Sequence, residues 1–264
     1  MLGPEQNLSA QKIQSLGDKI SAALGRPTQV AKVYQCGVGA NSRTHYVAET
    51  TTGAKVGLKA SSRGVAGGDE KERLISELAS VLDAPCTCRV SPISVDELPT
   101  LSGRAVNAIE WLPAGESLDR LPANVKTALR GDPSIFLRQY GEWMSLGLLF
   151  GVVDRNSGNW VWAQSTGMLC MIDNEESFHQ GGGVQHMHVG IETVTPRVQL
   201  KADGPTAGHG IHLASGLSAM QQKYHDRVAQ VQQILVSSTV AGFSSVWMQV
   251  AAADIVARVF HELA

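Results

Sequence analysis

Val152-Val153-Asp154-Arg155-Asn156-Ser157-Gly158-Asn159-Trp160, followed downstream by Met171-Ile172-Asp173-Asn174, decides how this chain is read. A polar loop carries Asp154 and, five positions on, Asn159. The loop runs into a short apolar strand, Trp160–Ala163. Ser165-Thr166-Gly167 turns the chain back into a second strand, Met168–Ile172. Asp173 stands at the end of that hairpin, fourteen residues after Asn159. An acid, an amide and a second acid so spaced can face one point. Each alone reads as a turn residue. Together they are hard oxygen donors of the kind Mg²⁺ takes, and such an ion commonly carries substrate phosphates as further ligands.

Working upstream, residues 29–60 predict three consecutive antiparallel strands. Val30, Val33 and Tyr34 belong to the first, His45–Ala48 to the second and Lys55–Ala60 to the third, with a turn at Thr51-Thr52-Gly53. Gly37-Val38-Gly39-Ala40-Asn41-Ser42 joins the first two. Alone it reads as a hairpin turn, but its backbone N–H groups suit phosphate oxygens. Lys59 ends the third strand as a cation for those phosphates. A helix is predicted from Glu70 to Leu82, with Leu74, Leu78, Val81 and Leu82 on one face. Glu72, at its head, is the expected partner of Lys59, with Glu70 and Glu77 as rivals. These are the parts of a phosphoryl-transfer site.

The rest of the chain frames them. A helix capped by Ser9 spans 6–25, and Ala105–Leu112 is a further strand. From residue 116 the pattern turns helical, with an apolar segment at 133–150. An irregular, glycine-rich stretch at 174–216 holds five of the eight histidines. Helices near 217–236 and 242–263 close the chain, the second with a stripe of Phe243, Val246, Trp247, Val250 and Val259. The expectation is an α+β fold in two lobes, a strand-rich 1–112 and a helical 113–264, with the ligand between them.

The sequence also resembles the atypical branch of the protein-kinase-like fold. Asp154-Arg155-Asn156-Ser157-Gly158-Asn159-Trp160 is similar to the D-R-x-x-x-N-W loop of type II phosphatidylinositol 4-kinases and actin-fragmin kinases. Met171-Ile172-Asp173-Asn174 is similar to their I-D-N motif. Lys71-Glu72-Arg73-Leu74 through Pro85 resembles the N-lobe helix of HipA-type kinases, and Ile109-Glu110-Trp111-Leu112-Pro113 their hinge strand. The resemblance covers roughly residues 30–180. It implies a two-lobed fold with a small antiparallel-sheet N-lobe and a mostly helical C-lobe. It implies ATP and Mg²⁺ as cofactors: Asp154 as the acid that orients the attacking hydroxyl, Asn159 and Asp173 on the metal, Lys59 on the α/β-phosphates and Glu72 pairing with it. Gly37, Gly39, Asn41 and Ser42 would cover the phosphates, and Glu110 and Leu112 would give backbone contacts to adenine. The chain departs from ordinary kinases in Val152-Val153 before Asp154, Asn-Glu after Asp173, and the absence of an A-P-E motif.

The expected activity is phosphoryl transfer to a protein Ser or Thr hydroxyl. Lipid and small-molecule acceptors, AMP transfer and a catalytically inactive nucleotide-binding module are the alternatives. The chain has 264 residues, 43% hydrophobic and 17% charged, which argues against disorder. With 22 Lys+Arg against 24 Asp+Glu and no basic run, a nucleic-acid partner is not expected. No apolar run reaches membrane-spanning length, and a lipid acceptor is further disfavoured by the lack of a basic amphipathic helix. Four scattered cysteines suit a reducing compartment, either the cytoplasm or a host cytosol reached as an effector. His186-Met187-His188 reads as solvated loop, Cys86-x-Cys88 as core thiols, and Trp143, Trp160, Trp162 and Trp247 as packing. No G-x-S-x-G occurs.

Overall fold

A computed structural model describes residues 3–36, 45–60, 67–110, 112, 115–153, 157–174, 177–178, 191–192, 194–238 and 255–263. The chain divides into two compact units. The first is Met1–Ser76 with Cys88–Pro113, and the second is Glu77–Thr87 with Ala114–Ala264.

In the first unit, helix α1 (Ala10–Leu24) starts where the Ser9 hydroxyl accepts the Lys12 N–H. It ends where Gly25 turns left-handed at φ 61° and Arg26 N–H reaches back to Ser21 C=O. Leu16, Ile20 and Leu24 recur four apart and are buried. They join a core with Val33, Tyr46, Leu58 and Ala108 of the neighbouring sheet. That sheet contains β1 (Val30–Cys36), β2 (His45–Thr50), β3 (Lys55–Ala60), β4 (Val90–Ile93) and β5 (Val106–Glu110). Among the described residues it is antiparallel throughout, in the order β1-β2-β3-β5-β4. The fold is α+β, as expected. Strand β4 has no counterpart among the predicted strands; its Pro92 is tolerated because β4 is an edge. At the other edge, Gln6 N–H donates to Val33 C=O and Gln35 N–H to Pro4 C=O, so residues 4–6 run along β1.

Helix α2 (Gly68–Val81) buries Leu74, Ile75 and Leu78. Its residues up to Ser76 group with the first unit, and those from Glu77 on with the second.

The second unit has a small antiparallel sheet, β6 (Gly115–Ser117), β7 (Trp160–Ala163) and β8 (Met168–Met171), with β7 central. Helices α3 (Ala123–Gly131) and α4 (Ser134–Leu149) precede β7. Helix α4 is buried along nearly its whole length. It grips the β7–β8 hairpin: Gln139 Nε2 donates to Gly167 C=O at 2.7 Å, Gln139 Oε1 accepts the Leu169 N–H at 2.7 Å, and Trp143 Nε1 donates to Leu169 C=O at 2.8 Å. Tyr140 stacks on Trp160 at 4.3 Å. Trp143, Trp160 and Trp162 are thus core residues.

Three expectations need correction. Residues 174–216 are not irregular throughout: α5 (Arg197–Asp203) follows Pro196, and α6 (Gly210–Asp226) begins within the stretch. Its glycines mark close backbone approach as well as turns, since a Cβ on Gly210 would fall 1.7 Å from Gly204 C=O. The single helix expected near 217–236 is two, because α6 ends at Asp226 and α7 (Val228–Ser237) begins after Arg227 leaves helical geometry. The predicted helical start of the second lobe is preceded by strand β6, too short to show alternation. Of the last predicted helix, α8 (Ile255–Leu263) is described, with Val259 buried; Phe243, Val246, Trp247 and Val250 lie outside the described residues. Among the described residues no helix is long and apolar enough to cross a membrane.

Candidate functional site

Lys59 lies on β3, flanked by β2 and β5, where it pairs with His45 on one side and Asn107 on the other. Its Nζ donates to Glu72 Oε1 at 3.1 Å, with side-chain exposures of 13% and 5%. A buried cation and carboxylate are costly apart, so each holds the other in place. Glu72 takes this role and Glu77 does not, because five residues of α-helix rotate a side chain by about 140° from the starting face. Glu77 is accordingly exposed.

The head of α2 is held by a residue the sequence reading missed. Asn107 is 2% exposed, and its Nδ2 donates to Asp69 C=O at 2.9 Å. The signal was present: Val106-Asn107-Ala108-Ile109 places one amide in an otherwise apolar strand, and buried amides need partners.

At the end of β5, Glu110 N–H donates to Arg89 C=O at 2.9 Å, and the Glu110 carboxylate is ion-paired with Arg26. Leu112 is half-buried. Gly37, Gly39, Asn41 and Ser42 lie outside the described residues, between the paired strand ends Cys36 and His45.

In the second unit, Asn159 closes a short 3₁₀ turn (Ser157–Asn159) and is 8% exposed. Its C=O accepts the Ile172 N–H at 2.9 Å, which extends the β7–β8 ladder past the Trp160–Met171 pair. Asn159 and Asp173 therefore leave the same open end of one hairpin. Asp173 sits at φ 58°, left-handed backbone that costs a residue with a side chain of order 1 kcal/mol and gathers at functional sites. Asn174, the next residue, is buried, and its Oδ1 has no hydrogen-bond partner among the described residues. An amide and a carboxylate from one hairpin end, both hard oxygen donors, fit a Mg²⁺ ion. Asp154 and Arg155 lie outside the described residues, as do His186 and His188. No group of three or more His, Cys, Asp or Glu side chains converges among the described residues. Cys86 and Cys88 are half-buried, the Cys170 thiol donates to Cys86 C=O at 3.3 Å, and no disulfide is present.

No family model matches the sequence, and no curated protein matches it. Solved structures do. The chain is similar to the Helicobacter pylori proinflammatory kinase CtkA, with a TM-score of 0.51 and 11% identity over 86% of this chain and 94% of that one. The fold is kinase-like. The FAT and kinase domain of CtTel1 matches with a TM-score of 0.45 and 14% identity, over 90% of this chain and 22% of that one. The complete CtTel1 dimer gives 0.44 and 14%, over 99% of this chain and 12% of that one. This chain thus spans a small part of CtTel1, and at those scores the likeness adds nothing to the first.

Proposed function

We propose that the chain is an ATP- and Mg²⁺-dependent kinase that transfers the γ-phosphoryl group to a Ser or Thr hydroxyl of a protein. The observation that carries this reading is the buried Lys59–Glu72 pair between a central strand and the adjoining helix. Such a pair presents a fixed cation to phosphate oxygens. The shared hairpin end of Asn159 and Asp173 supports it as the place for the metal. When bound, Mg²⁺ would neutralise charge on the phosphates.

The chain's own residues do the positioning. Lys59, fixed by Glu72, holds the α/β-phosphates, and Gly37–Ser42 cover them. Glu110 and Leu112 offer backbone groups to the adenine edge. Asp154 orients the acceptor hydroxyl and takes its proton as oxygen bonds to the γ-phosphorus and the bridging oxygen leaves with ADP. Positioning and electrostatics supply most of the rate in such a reaction.

The test is intact-protein mass spectrometry after incubation with Mg-ATP and a lysate, for wild type and Asp173→Ala. The expected result is a gain of about 80 Da on the chain or a lysate protein, lost in Asp173→Ala while the variant still unfolds cooperatively in urea. A gain of about 329 Da instead would mean AMP transfer. Phosphate appearing only on phosphatidylinositol vesicles would move the acceptor to lipid, and full activity in Asp173→Ala would overturn the site.

A further inference from the structure

Helix α1 ends in a turn that is bonded back on the helix twice. Gly25 is left-handed at φ 61°, and Arg26 N–H reaches Ser21 C=O at 3.2 Å. Two residues on, Thr28 N–H donates to the Ser21 hydroxyl oxygen at 2.8 Å. Two guanidinium groups meet at this turn. Arg89 Nη1 donates to Leu24 C=O at 2.6 Å, a charge-assisted bond on the negative end of the α1 dipole. Gly25 lies against that group, since a Cβ there would fall 3.5 Å from Arg89 Nη2 and 3.6 Å from Nη1. The second group, that of Arg26, reaches the Glu110 carboxylate.

Arg89 and Glu110 are also joined directly, Glu110 N–H to Arg89 C=O at 2.9 Å. These contacts close a ring. It runs from the Arg89 backbone to the Glu110 backbone, from the Glu110 carboxylate to Arg26, through Gly25 to Leu24, and from Leu24 C=O to the Arg89 guanidinium. Every member belongs to the first compact unit. Side-chain exposures of 51% for Arg26 and 37% for Glu110 leave the ion pair in water, where such pairs add little stability. What the ring fixes is a position. Glu110 is the last residue of β5, and it is tied by its backbone and its side chain at once. The brace behind it is firm, because Leu16, Ile20 and Leu24 seat α1 in the core beneath the sheet.

We infer that Arg26 and Arg89 are positioning residues for the end of β5, the segment assigned to the adenine edge. The consequence for nucleotide binding rests on the function proposed above; the bracing of Glu110 does not.

Arg26→Glu sets like charges against each other. The exchanged pair, Arg26→Glu with Glu110→Arg, restores the attraction and keeps the backbone groups of residue 110. Arg89→Met removes the donor on Leu24 C=O and keeps the Arg89 carbonyl. The first readout is protection of the residue 110 amide from hydrogen exchange, followed by NMR with no nucleotide present. Protection is expected to fall about fivefold in Arg26→Glu and in Arg89→Met, and to return in the exchanged pair. Unchanged protection, or no return in the exchanged pair, would overturn the inference. The second readout is calorimetry on the full chain with Mg-ATP and with Mg-tripolyphosphate, which carries phosphates and no base. The preference for ATP is expected to fall about threefold in Arg26→Glu and to recover in the exchanged pair, whereas a charge felt only by the phosphates weakens both ligands alike. Lost protection with an unaltered preference would make the ring merely structural and overturn the positioning role. A wild type that binds neither ligand, or both equally, would overturn the adenine role proposed for Glu110, and protection alone would then decide the brace.

Discussion

Helices α4 and α6 cross in backbone contact, and one methyl group should force them apart. A Cβ on Gly216 would lie 1.9 Å from Arg138 O, 2.8 Å from Arg138 C and 3.0 Å from Glu142 N. All three are backbone atoms, so no rotamer change relieves the clash. Restoring ordinary contact at 3.4 Å requires the helices to separate by 3.4 − 1.9 = 1.5 Å at that point. A gap of only about 0.5–1 Å already forfeits a quarter to a half of the dispersion energy across it. Leu213, Leu217 and Met220 of α6 are buried and lose contacts when it opens. Overpacking typically costs about 1–3 kcal/mol, occasionally more, and the clash here is with rigid backbone. Replacing a helical glycine by alanine gives back about 1 kcal/mol of propensity. With the overpacking cost at the upper end of that range, the net expectation for Gly216→Ala is a loss of about 2 kcal/mol. Urea unfolding followed by tryptophan fluorescence reads it, since Trp143 and Trp160 are buried in the same unit. Gly131→Ala is the control: this last residue of α3 has nothing within 4 Å of the new Cβ, so it should lose no stability and gain up to about 1 kcal/mol. A Gly216→Ala midpoint equal to wild type would refute the close crossing.

Two further expectations concern the first unit. Asn107→Ala removes the donor on Asp69 C=O and should cost about 1–3 kcal/mol in urea unfolding while loosening the head of α2 in hydrogen exchange; an unchanged exchange pattern would show that the bond does not hold it. Burial alone would push the Glu97 carboxyl up. Hydrogen bonds from the Ser15 hydroxyl at 2.5 Å and Lys19 at 3.2 Å, backbone N–H and the Lys19 charge outweigh it, so the group is held below the ordinary carboxyl value of 4.5. A depressed folded-state value contributes stability that is full well above the unfolded value and is lost as pH falls below about 4.5 through the folded one. Glu97→Gln should therefore flatten the fall in urea midpoint below pH 5, and an unaltered acid limb would refute the assignment.

Much of the fold could be read because its signals are local. Ser9 and Gly25 bracket α1, and the Ser165-Thr166-Gly167 turn separates two apolar runs that could only form a hairpin. What escaped depended on partners distant in sequence. Strand β4 exists because β5 offers it an edge, and Val90-Ser91-Pro92-Ile93 carries no periodicity of its own. The glycines at 204, 208 and 210 looked like loop composition because their role is set by what lies against them. At the site, the choice of Glu72 over Glu77 was available from helical rotation alone. Asn107 stood out as one amide in an apolar strand, but the carbonyl it serves, that of Asp69, lies 38 positions away. The hydrogen bond from Lys223 Nζ to Asp83 C=O spans 140 positions, and nothing in either segment announces the other.

The flanks of the first unit's sheet bear on how the chain behaves in company. An exposed strand edge is a row of unspent donors and acceptors that recruits other copies. Here one border carries Pro92, whose nitrogen has no hydrogen to lend, and the other is overlaid by Pro4-Glu5-Gln6 along β1. The overlay by residues 4–6 therefore shields that edge from pairing with other strands. Substitutions that peel it away uncover Val33 C=O and Gln35 N–H, and invite the sheet to grow by borrowing strands from its neighbours.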